Sequence, residues 1–178
     1  MPTCPPRARW IAKADVAPRR EQPSGSSVGP PMLEGFLLFE SIIDAAMVHA
    51  YRETEYRVSG DGPFTLRIGE ASASLAAAHK SRRVDCSAYI TALNPFSRAL
   101  DGAANAKRHA ALGRELEQRS LSSIEGVGQH PSNRWPGEAS YLIFGLTLEA
   151  AKTLGTRLEQ NAIVWCGADA VPQLILLR

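Results

Sequence analysis

The sequence predicts one α/β domain of the α+β kind, with helices flanking a mixed, partly antiparallel sheet. Two observations favour this class. Apolar runs of period two alternate along the chain with runs of helical period. The strand-like runs also form two close pairs, one near each end of the domain, which is typical of hairpins. A chain of 178 residues, 44% hydrophobic and 21% charged, is long enough to bury one such core.

The expected elements follow the order α-β-β-α-β-α-β-β-α-β-β, and the first four rest on periodicity. Apolar residues at steps of three and four predict a helix over residues 36–50, whose opposite edge is also apolar. Residues 55–58 and 64–68 predict two strands joined by a Gly-Asp-Gly turn. An alanine-rich run predicts a helix over residues 72–80.

The middle of the chain contains the clearest helix. Residues 85–92 are apolar and partly β-branched, and an Asn-Pro pair ends this strand because proline lacks the donor for the ladder. Residues 101–119 are rich in Ala, Leu and Arg, and Asp101 is placed to cap this helix. A short apolar strand at 121–124 is followed by a Gly- and Pro-rich loop at 125–138.

The last four elements complete the expected order. Residues 141–145 predict a compact buried strand, and residues 147–158 predict a helix with Thr147 as its N-cap. Two further strands, 162–165 and 174–177, are separated by a turn that runs from Gly167 to Pro172.

The composition divides the chain into two parts. Residues 1–33 hold seven of the 12 prolines and five basic against two acidic residues, which leaves 15 basic and 16 acidic residues in 34–178. We expect 1–33 to be a disordered Pro/Arg-rich extension, because it has too little apolar surface to offset the entropy of ordering. Residues 34–178 are the expected domain. Whether Met32 is the true first residue stays open.

This division excludes several classes of protein. A near-neutral domain carries no strong nucleic-acid signal. No run reaches the roughly 18 apolar residues of a membrane span, and no secretory signal peptide is evident, so a cytoplasmic protein is expected. The three cysteines make no disulfide framework, and the four histidines lie too far apart for a zinc motif. We therefore expect neither metal nor cofactor.

Several short motifs follow one another in a fixed order. They are Tyr51-x-x-Thr54-x-Tyr56, the segment 89–97 (YITALNPFS), Asn105, Gly126-x-Gly128, Trp135-Pro136-x-Glu138-x-Ser140, and the segment 154–165. Together they resemble the DUF3293 family, a bacterial family whose function is not established. The resemblance covers about residues 50–178 and implies a single domain without naming a reaction.

The first group of candidate ligand-binding residues lies at the end of a predicted strand. Thr91, Asn94 and Ser97 place hydroxyl and amide groups there, and Asn105 follows one turn into the next helix. Open sheets commonly bind ligands at strand ends. The alternative is that Asn94 and Ser97 satisfy backbone groups in the turn and cap the helix.

A second group lies near the predicted loop. Trp135 could stack on a ring, Glu138 is the best candidate for a general base, and Gln160 precedes a strand. The alternatives are a tryptophan that covers the sheet edge, a glutamate paired with Arg134, and an amide that closes a turn. The Gly126-x-Gly128 segment is either an anion cradle or a plain loop.

Two functions follow as hypotheses. In the first, the domain binds a small polar molecule at the strand ends, with or without catalysis. In the second, it is a non-enzymatic interaction or homodimerisation module that uses the apolar helix at 36–50. The sequence does not decide whether the protein is an enzyme.

Overall fold

A computed structural model describes residues 42–132 and 136–178. The predicted element order is confirmed within these residues, while the predicted extension 1–33 lies outside them. The elements are α1 (Ala45–Glu53), β1 (Glu55–Val58), β2 (Phe64–Leu66), α2 (Ala73–Arg82), β3 (Ser87–Thr91), α3 (Gly102–Gln118), β4 (Ser123–Gln129), β5 (Glu138–Phe144), α4 (Leu148–Arg157), β6 (Ala162–Cys166) and β7 (Pro172–Leu176).

The seven strands form one sheet in the order β2-β1-β4-β5-β3-β6-β7. Every pairing in it is antiparallel, so the α+β class is confirmed and the expected mixed sheet is wrong in this detail. The reason lies in the helical connections. Helices α2, α3 and α4 each join strands that run the same way, but at least one strand of opposite direction lies between them.

Apolar side chains alternate along the strands and build a core on each face of the sheet. Helices α3 and α4 pack on one face, where Leu112, Leu116 and Leu154 meet Ile90 and Ile143. Helix α2 packs on the other, where its buried Leu75 joins a second core. That second core also contains Tyr56, Val58, Leu66, Tyr89, Leu142, Phe144, Val164, Cys166 and Ala170.

The helices begin at capped residues. Asp101 and Thr147 accept hydrogen bonds from backbone amides of their helices at 2.8 Å and 3.3 Å, which confirms both predicted N-caps. The helix predicted over 36–50 is corrected, because α1 begins only at Ala45 after the Asp44 carboxylate caps it. Ile42 and its neighbour precede this cap and are not helical, and residues 36–41 lie outside the described residues.

Strand β4 corrects a second expectation, since residues 125–129 belong to the sheet and not to a loop. Their backbone groups pair with β1 on one side and β5 on the other, so they do not form an anion cradle. Gly126 allows this packing. A Cβ atom there would lie 2.4 Å from the Arg57 carbonyl oxygen and 2.6 Å from the Tyr89 hydroxyl. A glycine inside a strand often marks such a close approach.

We predict that Gly126→Ala lowers the free energy of unfolding by about 2 kcal/mol, because the added methyl group overpacks a fixed backbone carbonyl and a buried tyrosine. Chemical denaturation measures this loss. Gly128→Ala is the matched control two residues along the same strand, where the nearest atom to a new Cβ is 3.7 Å away. Equal stabilities of the two variants would contradict this account of β4.

Candidate functional site

The antiparallel register brings three strand ends to one edge of the sheet. Thr91 at the end of β3 pairs with Ser140 near the beginning of β5, and Glu138 pairs with Gly128 near the end of β4. The beginning of β6 lies on the other side of β3. A cavity of about 430 Å³ opens at this edge. Its wall includes Val164 and other members of the core on the α2 side of the sheet.

Helix α1 lines one side of this cavity, and hydrogen bonds of Tyr51 join it to β1 and to the turn after β3. Met47 and Tyr51 of α1 line the cavity, whereas Ala50 is the only buried residue of the helix. The Tyr51 carbonyl oxygen accepts a hydrogen bond of 2.7 Å from the Tyr56 hydroxyl. The Tyr51 hydroxyl lies 2.7 Å from the Ser97 hydroxyl. The side chain of Ser97 therefore joins α1 to the turn that follows β3.

Asn94 lies at the centre of the hydrogen bonds at the strand ends. Its side-chain oxygen accepts from the amide of Leu100 at 3.0 Å and from Asn105 Nδ2 at 2.9 Å, and its own backbone amide donates to Asn105 Oδ1 at 3.1 Å. Asn94 Nδ2 then donates to Glu138 Oε1 at 2.6 Å. Asn105 thus orients Asn94, and Asn94 orients the carboxyl group on the cavity wall.

The environment of Glu138 favours its neutral form. Burial raises the pKa of this carboxyl above its ordinary value, and the hydrogen bond from Asn94 offsets part of that rise. A carboxyl with a raised pKa can exchange a proton closer to neutral pH than an exposed one. Chemically, the group is placed to accept a hydrogen bond or a proton from a molecule in the cavity.

The turn after β3 holds a strained backbone. Asn94, Phe96 and Ser97 have φ angles of 45°, 53° and 56°. Asparagine tolerates this left-handed region, but for phenylalanine it costs about 1–3 kcal/mol. Contacts with other elements hold the turn in place, since the Phe96 amide donates to the Glu159 carbonyl at 2.6 Å and the Arg178 guanidinium lies 4.3 Å from the Phe96 ring centroid.

Two of the predicted ligand-binding side chains use their polar groups in hydrogen bonds to the protein backbone. The Thr91 hydroxyl donates to the Ala139 carbonyl at 2.9 Å and accepts from the Leu93 amide at 3.0 Å. The amide nitrogen of Gln160, a residue that is 7% exposed, donates to the Leu93 carbonyl at 3.0 Å. Both side chains line the cavity, yet these contacts match the alternative in which they close turns.

The structure thus brings most of the sequence-predicted residues together. Asn105 stands behind Asn94, outside the lining, and Trp135 lies outside the described residues. The predicted residues that line the cavity are Thr91, Asn94, Ser97, Glu138 and Gln160.

Several residues at the cavity were missed from the sequence. The rings of Tyr51, Tyr56 and Tyr89 line it, but each lies in a segment whose local pattern only indicates helix or strand. His130 also lines it, with Nε2 3.3 Å from a carboxylate oxygen of Glu53. No local signal joins these two residues, because they are 77 positions apart.

Arg108 is a further residue near the cavity that the sequence analysis did not single out. Its guanidinium donates to the carbonyl of Ala92 at 2.5 Å and to that of Leu158 at 2.8 Å. These bonds join the segment after β3 to the end of α4, directly behind the turn that carries Asn94. Backbone carbonyl groups at the ends of strands and helices need hydrogen-bond donors. A basic residue that can reach such an end is the signal that could have indicated this role.

Within residues 42–132 and 136–178, no group of three or more His, Cys, Asp and Glu side chains is placed to hold a metal ion. In the same ranges, none of the helices combines the length and the apolar character needed to cross a membrane.

Comparison with known families matches residues 90–163 to the model described as "Protein of unknown function (DUF3293)". Over these residues the chain is similar to the DUF3293 family. The match confirms the family resemblance, and it includes the Asn94, Asn105 and Glu138 positions around which the cavity edge is built. No curated protein and no solved structure matches the chain.

We predict that Glu138 makes the stability of the protein fall with rising pH. Between the ordinary pKa of a glutamate and the raised pKa of Glu138, the unfolded chain has released a proton that the native state still holds, so the free energy of unfolding decreases across this window. In Glu138→Gln this contribution is absent, so the stability of the variant relative to the parent rises with pH.

Denaturation curves across acidic and neutral pH check this prediction. Glu117→Gln, on the exposed side of α3, is the control for loss of a carboxylate. A constant stability difference between Glu138→Gln and the parent would contradict the assignment.

We predict that Asn105→Ala acts on Glu138 through Asn94. Loss of the Asn105 bonds lowers the free energy of unfolding by about 1–3 kcal/mol. It also frees Asn94, whose bond lowers the pKa of Glu138, so the carboxyl titrates at higher pH in a ¹³C NMR experiment. Asn161→Ala removes an amide bonded to Ser97 and serves as the control that leaves this titration unchanged. An unchanged titration in Asn105→Ala would show that Asn105 does not position Glu138.

Proposed function

We propose that this domain binds a small organic molecule in the cavity at the strand ends. The observation that carries the proposal is the largely buried Glu138 carboxyl on the wall of an open 430 Å³ cavity, oriented by Asn94 and, behind it, by Asn105. Burying a carboxyl costs free energy unless partners stabilise it. Such a costly group at an accessible cavity is typical of binding and catalytic sites.

The form of the cavity supports the same function. Small-molecule sites occupy about 300–1,000 Å³ and combine apolar walls with a few oriented polar groups. Here Met47, Val164 and Leu174 contribute apolar surface, and Asn94 and Glu138 contribute oriented polar groups. The cavity therefore fits a molecule of the size of one or two rings.

The strained turn is a second supporting observation. Three residues of this turn, Asn94, Phe96 and Ser97, have positive φ angles. Such backbone conformations persist only where the surrounding structure holds them, and they are concentrated at ligand sites. In this protein the strained turn contains both Asn94 and Ser97, which line the cavity. A function at this edge accounts for a backbone that is costly to keep.

Acid–base catalysis by Glu138 is a second candidate function. The raised pKa and the burial of this carboxyl favour it, since both bring proton exchange closer to neutral pH. The carboxylate form would take a proton from a bound substrate, and the neutral form would return it. A turnover that Glu138→Gln abolishes while the protein still binds the substrate would distinguish catalysis from binding alone.

The interaction-module hypothesis is less well supported. Residues 36–41 of its apolar helix lie outside the described residues. In the described part, Ile42 is 71% exposed, but α1 contributes Met47 and Tyr51 to the cavity. This involvement favours a role of α1 in covering a ligand. A homodimer and a cytoplasmic location stay predictions.

We predict that Ala99→Trp abolishes small-molecule binding without unfolding the protein. Ala99 is exposed and lines the cavity, so a large ring there obstructs the cavity and overpacks no core. A thermal-shift and ligand-observed NMR screen of ring-containing fragments finds the binders, and each is then measured on the variant. Ala110→Trp, on the exposed side of α3, is the control. Fragments that bind Ala99→Trp as tightly as the parent, or a screen without binders, would overturn the proposed function.

A further inference from the structure

Among the described residues, the cavity wall has an acidic side chain but no lysine or arginine. Glu138 lines the wall, while no lysine or arginine within residues 42–132 and 136–178 does so. The partner that holds the Glu138 carboxyl is a neutral amide, Asn94 Nδ2. When the carboxyl is ionised, no lysine or arginine on the described part of the cavity wall compensates its negative charge. A bound anion would be repelled by this wall, and a bound cation would be attracted.

The rings of the cavity wall favour the same kind of ligand. Tyr51, Tyr56 and Tyr89 all line the cavity, and the last two pack edge to face with centroids 5.4 Å apart. Their hydroxyls are engaged by the protein, since Tyr56 donates to the Tyr51 carbonyl and Tyr89 to the Arg57 carbonyl at 3.0 Å. The ring surface that a ligand can reach is small for Tyr56 and Tyr89, which are 9% and 3% exposed, and larger for Tyr51, which is half-buried. Aromatic surface of this kind attracts cationic nitrogen groups as well as apolar bodies.

The other polar groups on the wall are less suited to form hydrogen bonds with a ligand that is rich in hydroxyl groups. Thr91 bonds to two backbone groups, and the Asn94 oxygen accepts two hydrogen bonds. The Ser97 hydroxyl already meets Tyr51 and Asn161. A sugar or polyol would need several uncommitted partners to replace its bonds to water. The geometry therefore leaves Glu138 as the main polar contact for a ligand.

We infer that the natural ligand carries a cationic nitrogen group, an ammonium or amidinium, attached to an apolar body of about one ring. The nitrogen donates to the Glu138 carboxylate, and the ring packs among the three tyrosines. The inference rests on the proposed function, because it specifies the chemical class of the molecule that the cavity holds.

Binding of such a cation is linked to protons. The cation pairs with the carboxylate form of Glu138, so its affinity increases as pH rises through the pKa of that group. The other titratable groups on the wall are the three tyrosines and His130, which lies beyond the end of β4. Burial raises the pKa values of Tyr56 and Tyr89, which keeps their hydroxyls neutral throughout this range. Because His130 also lines the cavity, its effect on binding is measured with the variant His130→Gln.

Three probes with one ring and a short arm test the inference on the full chain. They are 2-phenylethylamine, 2-phenylethanol and phenylacetate, which present a cation, a neutral hydroxyl and an anion. Titration calorimetry or chemical-shift mapping gives their dissociation constants at several pH values. The amine is expected to bind about tenfold more tightly than the alcohol at neutral pH, as a charge-assisted hydrogen bond implies. The anion is expected to bind most weakly.

Variants then assign the preference to its source. Glu138→Gln is expected to bring the amine to the affinity of the alcohol, to leave the alcohol unchanged and to remove the pH dependence. Glu117→Gln, which removes an exposed carboxylate outside the cavity, is the matched control that keeps the preference for the amine. Circular dichroism and thermal melting establish that both variants are folded.

The outcomes separate this inference from the proposed function. If the alcohol or phenylacetate binds in the cavity as tightly as the amine, the inference is wrong and the proposed binding function stands. A preference for the amine that survives Glu138→Gln also overturns the inference. If none of the three probes binds, the inference is wrong, and the fragment screen on the parent and on Ala99→Trp decides the proposed binding function separately.

Discussion

The antiparallel pairing of β3 with both β5 and β6 is the constraint on which the rest of this structure depends. It places the end of β3 beside the beginnings of its two neighbours, so residues far apart in the chain meet at one edge of the sheet. Asn94 and Glu138 are 44 positions apart and form a hydrogen bond there. Without this register, the amides and the carboxyl at the cavity would point to different parts of the surface.

The two faces of the sheet are covered unequally, and this inequality produces the cavity. Helices α3 and α4 fill one face with apolar side chains. On the other face α2 packs on part of the sheet, and α1 covers a further part through Tyr51, Tyr56 and Ser97 instead of a broad apolar contact.

The structure at the strand ends costs free energy, and the packing of the two cores offsets this cost. A carboxyl is removed from water, and Asn94, Phe96 and Ser97 hold left-handed backbone conformations. Each departs from what the isolated segment would prefer, and the contacts of Asn105 and Arg108 keep the region in one arrangement. Local preferences that are overruled in this way are typical of functional sites, since a fold without a function at that edge gains nothing from retaining them.

The sequence by itself determined the order of the elements, because periodicity, caps such as Asp101 and Thr147, and proline breaks act within a few residues. It also indicated much of the cavity edge, since polar side chains at strand ends are visible locally. Only the tertiary structure decided that β4 includes Gly126, that the sheet is antiparallel throughout, and that Tyr51 and His130 face the same cavity as Glu138. The physical reason is distance along the chain: strand register and contacts between helix and sheet depend on segments tens of residues apart, and no local propensity encodes which of them will meet.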